Sequence, residues 1–297
     1  MTSNFSQQPS GGSGRSSLAY SRSSSRTLFN TVMTVLAFVC GILSLLPLLS
    51  VLIYVLLRGF SSFSLNIFTQ LPPPPFGLGG GFGHAIVGTI IVVALAALFS
   101  IPFGVLAAIY LTEFSSGKIS RWVRFATNIL SGVPSIIAGV FAYAIVVLTT
   151  DTFSAVAGGV ALAILMLPII VRTTDEALQL VSQDLRQAAT GLGATKFQTV
   201  SQVVLPAAVP AIVTGVTLAI ARASGETAPL LFTALAFQYW PTSLFAPTPS
   251  LAVFVYNYGT SPYANLQSLA WAAALILVLL VLLTNIIARW ATSRTLK

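Results

Sequence analysis

Residues 207–237 read A-A-V-P-A-I-V-T-G-V-T-L-A-I-A-R-A-S-G-E-T-A-P-L-L-F-T-A-L-A-F, an apolar run broken only by Arg222 and Glu226 as charged side chains. Taken as one helix with about 1.5 Å rise per residue, it places Arg222 roughly 24 Å from Pro206 and roughly 22 Å from Phe237. A bilayer's hydrocarbon core is ~30 Å thick, so the pair falls near its middle. A charge at that depth costs at least ~2.5–3.5 kcal/mol on insertion scales and needs a partner or a purpose. Glu226, four residues on along the same face, supplies the partner.

Five further apolar runs flank this one, at 28–57, 84–111, 125–150, 152–171 and 267–288. The 297 residues are 56% hydrophobic and only 7% charged, against about a quarter charged in a soluble domain. The expected fold class is therefore an all-α polytopic membrane protein with six spans. No strand-length alternation competes with it, which sets a β-barrel aside. The net charge of +8 sits in short clusters between spans, as orientation signals do, and does not form a nucleic-acid face. Cys40 and His84 are each the only residue of their type, so neither a disulfide nor a metal cluster is expected. His84 reads as a polar residue at a membrane boundary.

Residues 1–27 are rich in Ser and Gly and carry Arg15, Arg22 and Arg26; such a segment buries too little to order itself and is expected to be a disordered tail. The run 28–57 is far longer than the apolar core of a signal peptide and reads as a retained first helix. Residues 58–83, with Pro72–Pro75 and F-G-L-G-G-G-F-G, read as an external loop holding a short interfacial segment near 60–68. Residues 238–266 read as an uncharged loop, 84–290 as the permeation core and 291–297 as a tail. With the N-terminus inside, 12 of the 14 Lys and Arg residues lie on inner segments, against Arg58 outside and Arg222 within the membrane. Both termini are thus expected on the cytoplasmic side of a bacterial plasma (inner) membrane.

The longest inner stretch, 173–206, reads T-T-D-E-A-L-Q-L-V-S-Q-D-L-R-Q-A-A-T-G-L-G-A-T-K-F-Q-T-V-S-Q-V-V-L-P. Ala177, Leu178, Val181, Leu185 and Ala188 recur at helical spacing and predict one buried face. Asp175 and Glu176 suit that helix's first turn. Gly191 and Gly193 end it, and 196–204 forms a second short helix. Within this stretch Gln187, Ala188, Ala189, Gly193, Leu205 and Pro206 resemble the E-A-A-x3-G-x9-I-x-L-P motif of bacterial ABC importer permeases. Gln187 replaces the usual Glu and Val203 the usual Ile.

The stretches S-G-V-P-S-I-I-A-G-V-F-A-Y (131–143), G-H-A-I-V-G-T-I (83–90) and A-R-A-S-G-E-T-A-P-L-L-F-T-A (221–234) resemble phosphate importer permeases. The last of them is most like the PstA-type subunit and less like its PstC-type partner. The resemblance covers about residue 83 to the end. It implies the type I importer permease fold and docking of an ATPase on the coupling segment 173–206. It also implies a heterodimer with a homologous PstC-type permease, two PstB-type ATPase subunits and an external PstS-type phosphate-binding protein. No G-x-x-x-x-G-K-[ST] run is present, so the chain is expected to be a transporter subunit and no enzyme. It is expected to bind no cofactor, with ATP-Mg used by the ATPase partner.

Arg222, Glu226 and Thr227 are then the expected translocation residues, with Gly225, Pro229 and Pro134 as a gate or bend. Pro229 lacks the N–H that a continuous helix would give to Gly225. Arg offers planar donors that fit phosphate oxygens. Glu226 can accept from proton-bearing phosphate, whereas sulfate has no proton to give. The coupling motif is shared with sulfate, molybdate and phosphonate importers, so these are the alternatives inside the class. An ion-coupled secondary carrier is the alternative outside it, and no internal repeat favours one.

Overall fold

The computed structural model of the chain describes residues 25–77, 79–115 and 117–295, with side chains described within 26–290. It divides into two units, Met1–Ile53 and Tyr54–Lys297. The tail expected at 1–27 lies outside the described residues except for its last three, which open helix α1, Ser25–Ser61. In the first unit α1 is apolar on every side and exposed on every side, the pattern of a helix whose surroundings are themselves apolar.

The second unit is built on two long helices that run in the same direction, α2 (Gly83–Phe114) and α5 (Ala155–Gln179). Their register follows from small residues. A Cβ on Gly158 would meet Val92, one on Gly159 would meet Leu95, and one on Gly104 would meet Ile170. Such positions let two backbones approach closely where lipid offers no hydrophobic drive between helices. Because α2 and α5 are parallel, the chain between them must cross back. It does so through α3 (Lys118–Ser131) and α4 (Ser135–Thr150), which meet at 103°. Gly132–Pro134 forms the break, since Pro134 has no N–H to continue the ladder of α3. The third span is therefore bent at the expected Pro134, and its first helix opens at Lys118, ahead of the 125 expected. Asp151 closes α4 in the left-handed region, φ 50°.

Helix α7, Lys196–Ser224, packs on α5 where Gly215 takes the Thr173 side chain. Val92, Ala96, Leu162, Met166, Ile170, Ala219 and Ala223 form the core where α2, α5 and α7 meet. A second cluster of Ile67, Phe82, Leu251, Phe254, Leu269 and Ala272 joins the start of α2 to helices α9 (Leu251–Gly259) and α10 (Ala264–Thr295).

Several expected boundaries move. The helix opening at 207 does not reach Phe237: α7 stops at Ser224, a single turn α8 (Ala228–Leu231) follows, and turns and irregular chain fill 232–250. Those residues are apolar because Leu230, Thr233 and Ala234 are buried, not because they are helical. The loop expected at 238–266 contains α9, capped by the Ser250 side chain, which accepts from the Val253 amide. In the expected external loop, α1 continues to Ser61 and Leu65–Phe68 makes a 3-10 turn. Ile67 there is buried in the second cluster and not interfacial. Helix α5 runs past Val171 to Gln179, and α10 runs through Thr295 where a tail was expected from 291. His84, expected at a boundary, is fully buried between Trp240 and Phe254, and neither ring nitrogen has a partner.

Gly88 marks a tight joint of the second cluster. A Cβ there would strike the Pro249 carbonyl, while next door Thr89 Oγ1 accepts from the Leu251 amide at 2.7 Å. Gly88→Ala is expected to lose about 1–3 kcal/mol through overpacking against backbone that cannot rotate away. Thermal unfolding in detergent reads this. Gly41→Ala, whose Cβ meets nothing within 4 Å, is the control; equal midpoints for the two variants would contradict the packing argument.

Candidate functional site

Arg222 occupies the last turn of α7, where the open carbonyls of a helix C-terminus favour a cation. Its Nε lies 3.5 Å from Glu226 Oε1, with side chains 57% and 18% exposed. Among the described residues no hydrogen bond closes on the guanidinium. Its height in the bundle follows from packing. Gly215 meets Thr173 of α5, and Arg222 is seven residues further on, roughly 10 Å. The other end of α5, Ala155, is roughly 27 Å from Thr173. Arg222 therefore sits partway up α5, exposed, with its donors open.

The backbone around it differs from the expectation. Gly225 ends α7, with its amide bonding to the Arg222 carbonyl. Pro229 bends no continuous helix: it lies in the first turn of α8, where a missing N–H has no intrahelical partner to lose. It packs against α4, since a Cβ on Gly139 would come within 2.6 Å of Pro229 Cα. Thr227 flanks α8 without making a side-chain cap. Pro134 lies at the other end of α4's first turns, at the 103° bend. Arg222, Glu226, Gly225, Thr227 and Pro229 are thus gathered at one helix break, and Pro134 stands apart from them.

The 173–206 stretch is also arranged differently. Asp175 and Glu176 are near the C-terminal end of α5, and the chain turns at 180–182 before α6, Gln183–Gly191. One continuous amphipathic face does not form. Ala177, Leu178 and Val181 pack with Val204, Ala208 and Ile212, but Leu185 and Ala188 are exposed and it is Ala189 that turns inward. Gln187 is exposed, Gly193 takes φ 87°, and Thr195 with Gln198 forms a capping box that starts α7. Leu205 and Pro206 lie within α7. Leu180, Leu192 and Phe197 are 82%, 91% and 71% exposed around the short helix.

Two ion pairs that local spacing does not reveal fix this end of the bundle. Arg186 of α6 donates to Glu113 of α2 at 2.6 Å and to the carbonyls of Leu178 and Val181 at 2.9 and 2.8 Å. Its side chain is 15% exposed and that of Glu113 10%. Asp175 accepts from Arg124 of α3 at 2.8 Å, from Thr112 of α2 at 2.6 Å and from Gln179 at 3.0 Å. The partners are 51–73 residues apart, so only charge left over after the helices are laid out points to them.

A bent bundle with a charged helix break and a short, apolar-edged helix at one end defines a membrane permease component. Residues 100–297 match the family described as binding-protein-dependent transport system inner membrane component, and the chain belongs to that family. Among curated relatives, the phosphate transport system permease protein PstA of Yersinia pestis is 42% identical over 261 residues, 88% of each chain. That of Haemophilus influenzae is 41% identical, over 89% of this chain and 94% of its own. Of solved structures, the bacterial alginate ABC transporter matches with TM-score 0.64 and 16% identity, over 92% of this chain and 98% of that one. The methionine transporter MetNI matches with TM-score 0.59 and 23% identity, over 71% and 95%. These two show the type I importer permease fold.

Proposed function

We propose that the chain is a transmembrane subunit of an ATP-driven importer of inorganic phosphate, forming half of the translocation pathway. The observation that carries the reading is the open guanidinium of Arg222 partway up the bundle, in a chain closely similar to phosphate permeases. A half-exposed cation within the membrane has to be covered by a second permease, by an anion in passage, or by both. A homologous PstC-type subunit is the partner that supplies the other wall. Arg222 holds the phosphate oxygens through its planar donors, Glu226 accepts the proton-bearing oxygen, and Thr227 lines the same break.

The end carrying α6 faces the cytoplasm, as do both termini, in keeping with the distribution of Lys and Arg. There Leu192, Phe197 and Leu185 form an apolar edge, together with Gln187 and Ala188, for one of two PstB-type ATPase subunits that use ATP-Mg. Ala189, Gly193, Leu205 and Pro206 shape that edge from behind. A PstS-type binding protein delivers phosphate on the opposite side. Helix α7 begins at the dock and ends at the pathway, roughly 40 Å of helix, so a displacement at Lys196 reaches Arg222 along one helix, through its π-helical turn at Val200–Val204. Gly225 and Pro229 allow the segment beyond to move, and Pro134 does the same for α3 against α4.

The test is uptake of labelled phosphate into proteoliposomes holding the full complex. ATP-dependent uptake that resists excess sulfate and molybdate is expected; ATP-independent uptake, or competition by sulfate, overturns the reading. For the dock, Leu192→Asp is expected to lower ATPase co-purification at least about tenfold while the permease folds normally, since it places a charge in the centre of an apolar contact. An unchanged yield of complex would contradict the assignment of that edge.

A further inference from the structure

Arg172 and Glu176 of α5 repeat the Arg-x-x-x-Glu spacing of Arg222 and Glu226, with Nε 2.9 Å from Oε1 and both side chains about 60% exposed. They open on a cleft of about 430 Å³ between α3 and α5, lined also by Arg124, Thr127, Asn128 and Asp175. Two features make this more than a solvated ion pair. Arg124, which lines the cleft, gives one Nη to Asp175, and among the described residues nothing accepts from its other Nη. Arg172 gives only its Nε to Glu176, and among the described residues nothing accepts from its two Nη groups. A pair of guanidiniums thus shows unsatisfied donors to one cavity, the arrangement a tetrahedral oxyanion completes. The cavity's height is fixed too. Arg172 adjoins Thr173, which meets Gly215, so it lies roughly 10 Å from the level of Arg222, on the side that carries α6.

We propose that this cleft is the exit station of the pathway, a weak inorganic phosphate site occupied after Arg222 and before release. The inference rests on the reading of the chain as a phosphate importer subunit. The carboxylates argue for it. An exit site must bind well enough to receive the ion and weakly enough to let it leave. Two bare guanidiniums would hold phosphate; Asp175 and Glu176 bring the cleft close to neutral. The Arg172–Glu176 pair is exposed and contributes little as it stands, so an incoming anion displaces Glu176 at small cost, and Glu176 displaces the anion in turn. Asp175, tied to Thr112 and Gln179 as well, stays in place and keeps Arg124 aimed.

The test uses the assembled complex in inside-out vesicles, with Cys40→Ser removing this chain's only thiol, Asn128→Cys placing a new one on the cleft wall, where Asn128 is exposed, and labelling read on this chain alone after the subunits are separated. Labelling by a membrane-impermeant maleimide is timed with millimolar phosphate or with chloride at equal ionic strength. Phosphate is expected to slow labelling several-fold. That protection is expected to vanish with Arg172→Gln, to survive Arg222→Gln, and to appear at lower phosphate with Glu176→Gln, which removes the competing carboxylate. Labelling that ignores phosphate, protection that survives Arg172→Gln, or a thiol that never labels because another subunit covers the cleft each overturns the proposal. If Arg222→Gln stops import while labelling ignores phosphate, the exit station alone fails; if neither responds, the pathway reading falls with it.

Discussion

Arg186→Ala is expected to cost about 3–5 kcal/mol of stability, because it strands the Glu113 carboxylate in a buried site. The pair is the shortest charged contact in the second unit's described residues and is shielded on both sides, at 15% and 10% exposure, so solvent screening discounts it little. Arg186 also holds the carbonyls of Leu178 and Val181 at the turn into α6, where the Leu178 carbonyl accepts from the Val181 amide as well. Losing it therefore loosens both the end of α5 and the start of α6. Detergent-purified protein should show a lower unfolding midpoint, and the ATPase should co-purify poorly. Arg186→Met combined with Glu113→Leu should recover much of the midpoint, since no charge is left buried. It should not recover ATPase stimulation, because the tie that fixes α6 is gone. A single variant as stable as the parent would mean that the pair anchors nothing.

Arg222→Gln is expected to lower phosphate import by about 10- to 100-fold, the equivalent of one or two hydrogen bonds to a charged group at about 1.5–3 kcal/mol. Stability should hardly change, because the guanidinium is 57% exposed and its contact with Glu226 is long, at 3.5 Å. Arg222→Lys keeps the charge without the planar fork and should fall between the two. Native-rate import by the Lys variant would argue against geometric recognition. Glu226→Gln should admit sulfate, because an amide can donate where a carboxylate can only accept. Unchanged phosphate flux together with unchanged sulfate exclusion would remove Glu226 from the selective machinery.

The class of fold was legible because hydropathy measures what a bilayer demands. Six apolar runs and a one-sided distribution of Lys and Arg need no tertiary knowledge. The height of Arg222 was legible for a less sound reason. It was placed by counting along a helix to Phe237 that in fact ends at Ser224. What the packing gives in its place is a level on α5, roughly 10 Å beyond the contact of Gly215 with Thr173. Apolar character continues through 228–237 because those turns are packed against α5, where the Thr233 carbonyl accepts from the Ser154 amide. Hydropathy reports burial, and it does not separate a buried turn from a buried helix. Helix α9 was missed for the converse reason: nine residues between prolines and polar residues look like loop until Leu251 and Phe254 find the second cluster.

At the α6 end, glycine punctuation marked the break correctly, with Gly193 in the left-handed region, but Pro206 marks none: the short helix expected at 196–204 runs on through it as α7. Local charge rules misled. Asp175 and Glu176 suit a helix start by sequence, yet Asp175 is taken by Thr112 and Arg124 from two other helices. A partner 63 residues away is worth more than a helix dipole, and no local window contains it.

In the proposed transporter Arg222 acts on the ion while the α6 end acts on the ATPase. The most direct measurement is phosphate imported per ATP hydrolysed by the reconstituted Arg222→Gln complex with phosphate-loaded binding protein. Stimulated ATP hydrolysis is expected to stay close to the parent's while phosphate import falls about 10- to 100-fold, so the ratio collapses. If hydrolysis and import fall together and the ratio holds, Arg222 is a structural member of the bundle and the account is wrong.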